Sequence, residues 1–93
     1  MGWIEDLFKK IDRRSIPITY HPHFVMREST RNLSLRDVEM TVRSGRINKR
    51  KCEAPRKLCF ERYFGKERIT YVVIVIVHHY FWEVITCWKR KGR

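Results

Sequence analysis

The sequence predicts an α+β domain in which N-terminal helices pack on one face of a C-terminal antiparallel β-sheet. Apolar residues recur at helical spacing as far as Gly45, and from Leu58 onward β-branched and aromatic residues run almost unbroken. Size adds a third observation, since 93 residues hold enough side chains for one core and too few for two. Apolar residues at 43% and aromatics at 13% suffice for that core despite a mean hydropathy of -0.51.

Trp3, Ile4, Leu7, Phe8 and Ile11 fall three or four positions apart, so residues 2–13 read as an amphipathic helix. Lys9, Lys10 and Arg13 stand in its last turns, where the helix dipole favours cations. Packing is its simplest role, with dimer formation or membrane-surface contact as alternatives. Pro17 breaks the chain, Ile16–Tyr20 reads as a short extended segment, and Pro22 opens a helix over 22–31. Asn32 suits the left-handed residue that ends that helix. Ser34 is the expected N-cap of the next one, with Asp37 in the capping-box position, and Leu35, Val38 and Val42 supply its buried face before Gly45 stops it.

The basic stretch Arg46–Lys57, interrupted by Pro55, reads as an edge strand and a loop. Strands follow at Leu58–Phe64, Ile69–Val77 and Phe81–Trp88, with turns at Gly65-Lys66 and around His78-His79-Tyr80. The run Val72–Val77 is apolar on both faces, which predicts a central strand covered by helices on one side and by another layer or a partner copy on the other. The core domain is expected over 16–90, preceded by the helix within 1–15 and followed by a basic tail at 91–93. Lys89 to Arg93 read together as a frayed, phosphate-seeking end.

Charge is the strongest pointer to function. There are 21 Lys and Arg against 10 Asp and Glu, a net charge of +11 and a pI near 10.1, so an anionic partner is expected and nucleic acid comes first. The longest apolar run, Tyr71–Val77, is far shorter than the ~20 residues of a membrane-spanning helix. The start of the chain lacks a basic region followed by a long apolar one, as a signal peptide would have, and Asp6 stands where a myristoylation signal wants Ser or Thr. Three cysteines without a CxxC pair fit a reducing cytoplasm, the expected location.

On a helix over 22–31, His23, Arg27 and Arg31 stand above one another with a drift of only about 40°. An imidazole beside guanidinium groups suits metal-independent RNA cleavage: the imidazole takes the 2′-OH proton while arginines hold the scissile phosphate. Arg62 is the fourth candidate around that phosphate. The bland alternative is a hydrogen-bonding His23, with Arg27 and Arg31 paired to Glu28 or Asp37. No metal is expected, because His21-Pro22-His23 and His78-His79 lack carboxylate or thiolate partners at ligand spacing, and no cofactor is implied. Cys52, Cys59 and Cys87 read as structural.

Arg46, Lys49, Arg50, Lys51, Arg56 and Lys57, with Lys66, Arg68, Lys89 and Arg90, form the candidate nucleic-acid-binding set. Phe60, Tyr63 and Phe64 are interleaved with these cations and are candidates for stacking on bases, although strand alternation divides them between two faces. Glu83 and Lys89 form a candidate acid/base pair on the last strand.

The stretch Ile18–Ile47 resembles a family of small prokaryotic domains of unknown function. The likeness rests on His23, Arg27 and Arg31 at four-residue steps, on Asn32-Leu33-Ser34, on Ser44-Gly45-Arg46-Ile47 and, later, on Val84-Ile85-Thr86. Asn32 replaces the usual Gly and Leu33 the usual Ile. That family is distantly similar to the RelE, ParE and BrnT toxins and to barnase-like and colicin-like ribonucleases. The resemblance implies a RelE/barnase-like arrangement, RNA as the favoured nucleic acid, and a toxin-type endoribonuclease or a non-catalytic binding descendant. A protein-interaction unit is the further alternative, bound by an acidic antitoxin-like protein or paired as a homodimer.

Overall fold

The computed structural model describes residues 2–93, with the backbone alone for 27–31. In order, its elements are α1 (Trp3–Lys10), β1 (Ile18–Tyr20), α2 (Pro22–Arg31), α3 (Leu35–Ser44), β2 (Arg46–Ile47), a 3-10 turn (Lys49–Lys51), β3 (Lys57–Phe64), β4 (Ile69–Val77) and β5 (Trp82–Lys91). The α+β class holds, but the sheet is mixed rather than antiparallel. Five strands lie in the order β1-β5-β4-β3-β2, and β1 runs parallel to β5. The cause lies in the extended segment before α2. The Pro17 carbonyl accepts the Trp82 N–H and the Val84 carbonyl accepts the His21 N–H, each at 2.9 Å, so the segment becomes a strand at the sheet edge. Two helices and a meander separate the partners, which gives the chain the long return that parallel pairing requires.

α1 stops three residues before the expected end. Asp12 Oδ1 accepts the Arg14 N–H at 3.0 Å, a local bond that competes with helix continuation. Arg13 then reaches across to α3, donating from Nε to the Val42 carbonyl at 2.9 Å and from Nη2 to the Gly45 carbonyl. Its cation therefore serves the C-terminal end of α3 rather than that of α1. The same guanidinium lies 4.7 Å above the Phe60 ring, and burial, with Arg14 nearby, lowers its pKa.

α2 and α3 keep their expected bounds, but Leu35, expected on the buried face of α3, is exposed, and Val38, Thr41 and Val42 supply that face. Asn32 ends α2 at φ 57° and ψ 47°, and Ser34 Oγ accepts the Asp37 N–H at 3.3 Å. Gly45 ends α3 with an ordinary φ of −75°, so its glycine answers to space. A Cβ there would stand 2.5 Å from the Thr41 carbonyl oxygen and 2.7 Å from that of Glu61.

All three helices bury apolar residues against one face of the sheet, while Val25 and Met26 of α2 and Leu35 and Met40 of α3 stay exposed. Trp82, fully buried, sits between Phe8 and Phe60 with ring centroids 6.1 and 5.7 Å away. Val38 and Val42 of α3 join Val73, Val75 and Val84 in the same cluster. On the other face Cys59, Val72 and Ile74 form a thin second cluster with Cys52, Ile85 and Trp88, to which no α-helix contributes among the described residues. β4 is central, as its two apolar faces predicted.

A bulge in β5 decides what that open face presents. Ile74 pairs with Thr86 and Val75 with Val84, so Ile85 is the extra residue and side-chain alternation reverses there. The strand continues past its expected end to Lys91. Beyond it, the Gly92 N–H donates to the Arg68 carbonyl at 2.8 Å and Thr70 Oγ1 donates to the Gly92 carbonyl at 2.6 Å. The expected frayed tail is therefore corrected: Lys89, Arg90 and Lys91 are strand residues, and Gly92 is tied to the β3–β4 hairpin. Among the described residues no helix is long and apolar enough to cross a membrane.

Candidate nucleic-acid interface

Strand register sets side chains of the open face in rows. Arg46 stands opposite Glu61, which pairs with Val72 and through it aligns with Trp88, while the neighbouring row holds Tyr63, Thr70 and Arg90. Glu61 is only 4% exposed, an unusual place for a carboxylate, and its oxygens are fully engaged. Asn48 Nδ2 donates to Oε2 at 2.7 Å, Arg90 Nη2 donates to Oε1 at 3.2 Å, and Arg46 Nη2 approaches Oε1 to 3.6 Å. Burial pushes this carboxyl's pKa up. The bonds from Asn48 and Arg90 and the charges of Arg90 and Arg46 outweigh that effect and hold it below the usual range.

The Arg93 guanidinium lies 4.5 Å from the Tyr63 ring centroid. Arg46, Arg62, Arg90 and Arg93 thus line one hollow of about 260 Å³, with Tyr63 and Thr70 in its wall and Glu61 as the carboxylate beside them. Glu61 acts as a peg that hydrogen-bonds the Arg90 guanidinium and draws the exposed Arg46 guanidinium to 3.6 Å beside the hollow.

A second hollow of about 440 Å³ adjoins Trp88, with Ile74 and Ile85 as apolar lining and Arg50, Lys51 and Thr86 around it. Lys51 Nζ rests 4.9 Å from the centre of the Trp88 ring. Asn48 connects the two hollows. Its Oδ1 accepts the Arg50 N–H at 3.1 Å, shaping the turn that delivers Lys51, while its amide nitrogen holds Glu61.

The anticipated cations are therefore divided. Arg46, Arg50, Lys51, Lys57 and Arg90 border the open face, with Lys57 3.9 Å from a Glu53 carboxylate oxygen. Lys49 turns to Glu5, 2.9 Å away, and Arg56 lines a separate hollow beside Leu7 and Ile11. Lys66 and Arg68 lie in the β3–β4 turn, and Lys89, on the helix-covered face, donates to the Asn32 carbonyl at 3.4 Å. The stacking candidates divide too: Phe60 is fully buried, Phe64 packs edge-on against Tyr71, and Tyr63 alone reaches the open face.

The proposed catalytic set is not gathered by any described contact. His23 is exposed at the start of α2, its backbone N–H donating to His21 Nδ1 at 3.1 Å, which makes His21 the helix N-cap. Arg62 lies on β3, two strands from the strand that α2 packs on, with its guanidinium 4.7 Å above Phe64. Arg27 and Arg31 belong to α2, but their side chains lie outside the described residues. Glu83 and Lys89 fall on opposite faces because the bulge lies between them, and Glu83 instead meets His78 Nε2 at 2.9 Å. Among the described residues no cluster of His, Cys, Asp or Glu is arranged to hold a metal. Cys59 is fully buried, and burial pushes its thiol up to about 11, which leaves it protonated at neutral pH.

Sequence reasoning missed Trp88 and Asn48, and it read Arg93 as part of a frayed, phosphate-seeking end rather than as a cation over Tyr63. Asn48 preceding a basic run had a turn-forming signal, whereas Trp88 was hidden by the bulge, which overturns the face that alternation from Trp82 would assign. No protein-family model matches the chain, and no curated protein or solved structure shows significant similarity to it.

Proposed function

We propose that this chain is a small basic nucleic-acid-binding domain of the RelE/barnase-like type, that RNA is its ligand, and that the open face of the sheet is the binding surface. One observation carries the reading: a sheet face to which, among the described residues, no helix contributes core residues places Arg46, Arg90, Arg93 and Lys51 around two accessible rings, Tyr63 and Trp88. Cations that hold phosphates beside rings that stack on bases are the two ingredients of single-strand binding. The RelE-type kinship is supported by element order. A strand leads into a helix pair, Gly45 ends the second helix, and a meander closes with Val84-Ile85-Thr86 in β5. RNA is favoured by that kinship.

Binding is preferred to cleavage because the described contacts leave His23 and Arg62 apart, whereas those of the open face converge. The test is incubation with labelled single-stranded RNA in EDTA over a range of salt. Retention without cutting is expected, and with three to four phosphates neutralised log affinity should fall against log salt with a slope of about −2 to −3. An affinity indifferent to ionic strength would sink the reading. Metal-independent cleavage that His23→Ala abolishes would replace it with the endoribonuclease.

A further inference from the structure

We propose that the two hollows of the open face are halves of one nucleotide subsite, in which an unpaired base stacks on Trp88 in place of Lys51 and its phosphate is held by Arg46, Arg90 and Arg93. This rests on the nucleic-acid reading and narrows it to a ligand class, a nucleotide with a free base face. Trp88 and Arg90 lie two residues apart on one strand and point the same way, so their Cα atoms stand about 7 Å apart. That spacing suits a base and the phosphate of the same nucleotide.

The free protein already shows what the ring attracts. An exposed lysine on a flexible stem lies over Trp88, a weak contact that a flat aromatic base displaces while the ammonium swings to a phosphate. Ile74 and Ile85 give the hollow apolar lining, and Thr86 borders it beside Trp88. Phosphate recognition is partly preset, because buried Glu61 holds Arg90 by a hydrogen bond and keeps the more exposed Arg46 nearby before any ligand arrives. Asn48 ties the halves together, bonded on one side to Glu61 and on the other to the turn that bears Lys51. A base inside a duplex has no free face to offer, so the subsite selects unpaired nucleotides.

The experiment compares the full chain with Trp88→Ala and Trp88→Phe for affinity to a single-stranded oligoribonucleotide, a hairpin duplex and inorganic polyphosphate. Tryptophan fluorescence is followed in parallel. Trp88→Ala is expected to weaken single-strand binding roughly ten- to hundredfold, the range of one stacked base, while Trp88→Phe restores most of it. Polyphosphate, having no base, should shift less than about twofold. Because Trp88→Ala also removes part of the second cluster, the wild-type fluorescence provides a readout without mutation: quenching by the single strand, none by polyphosphate, and loss of that quenching in Trp88→Phe. Single-strand affinity unchanged in a folded Trp88→Ala protein, or equal quenching by polyphosphate, overturns the base slot yet leaves charge-driven binding in place. Failure to bind any RNA at low salt overturns both.

Discussion

Glu61 shows how a single residue can organise a surface of opposite charge. A buried carboxylate ringed by Asn48, Arg90 and Arg46 stays ionised because its partners outweigh its desolvation. Its pKa in the folded state lies below the ordinary 4.5, so the unfolded chain binds the proton more readily. The resulting stabilisation is complete above that ordinary value and is lost as pH falls through the lower native one. Glu61→Gln should therefore cost about 1–2 kcal/mol at pH 7, where charged hydrogen bonds are lost, and less at pH 3. Urea midpoints for both proteins at the two pH values check this, and a difference independent of pH would refute it.

At the scale of elements, Gly45 joins the end of α3 to the middle of β3. The Thr41 and Glu61 carbonyls approach from two sides and both belong to backbone, so neither yields cheaply to a methyl group. Gly45→Ala should cost about 1–3 kcal/mol, an overpacking penalty, and disturb the strand that carries Glu61. Thermal melts measure the loss, and a neutral substitution would mean that the helix–strand approach is slack. The helices were legible because their signals are local: Ser34 before Asp37, Asn32 in the left-handed position, Pro22 at a helix start. Strands β3 and β4 were legible from composition. The parallel pairing of β1 was not, because it depends on a partner at the far end of the chain, and a three-residue strand carries little pattern of its own. The site was legible in its charge and in Arg46, Arg50, Lys51 and Arg90. Of its two rings Tyr63 was legible and Trp88 was not, since a bulge at Ile85 leaves no clear mark in the residues around it.

For the molecule as a whole, +11 on a body of about 35 × 28 × 22 Å means that repulsion is felt everywhere on the surface. Several exposed pairs offset it only weakly, such as Lys49 with Glu5 and Arg43 with Glu39. Added sodium chloride should therefore stabilise the fold by screening repulsion more than it weakens these pairs. A gain of about 1 kcal/mol would raise the melting midpoint by about 4–8 °C, readable by calorimetry between low and moderate salt. A falling midpoint would mean that attractive pairs dominate.

The pairing of β1 with β5 also bears on when this fold can exist. Residues near the two ends of the chain are hydrogen-bonded neighbours, and β5 fills the place between β1 and β4. A chain emerging from the ribosome offers β1 no partner and leaves one edge of β4 bare until its last strand has been made. Completion of the sheet must then wait until β5 has emerged, and for that interval the apolar run of β4 depends on something other than its own sheet for cover.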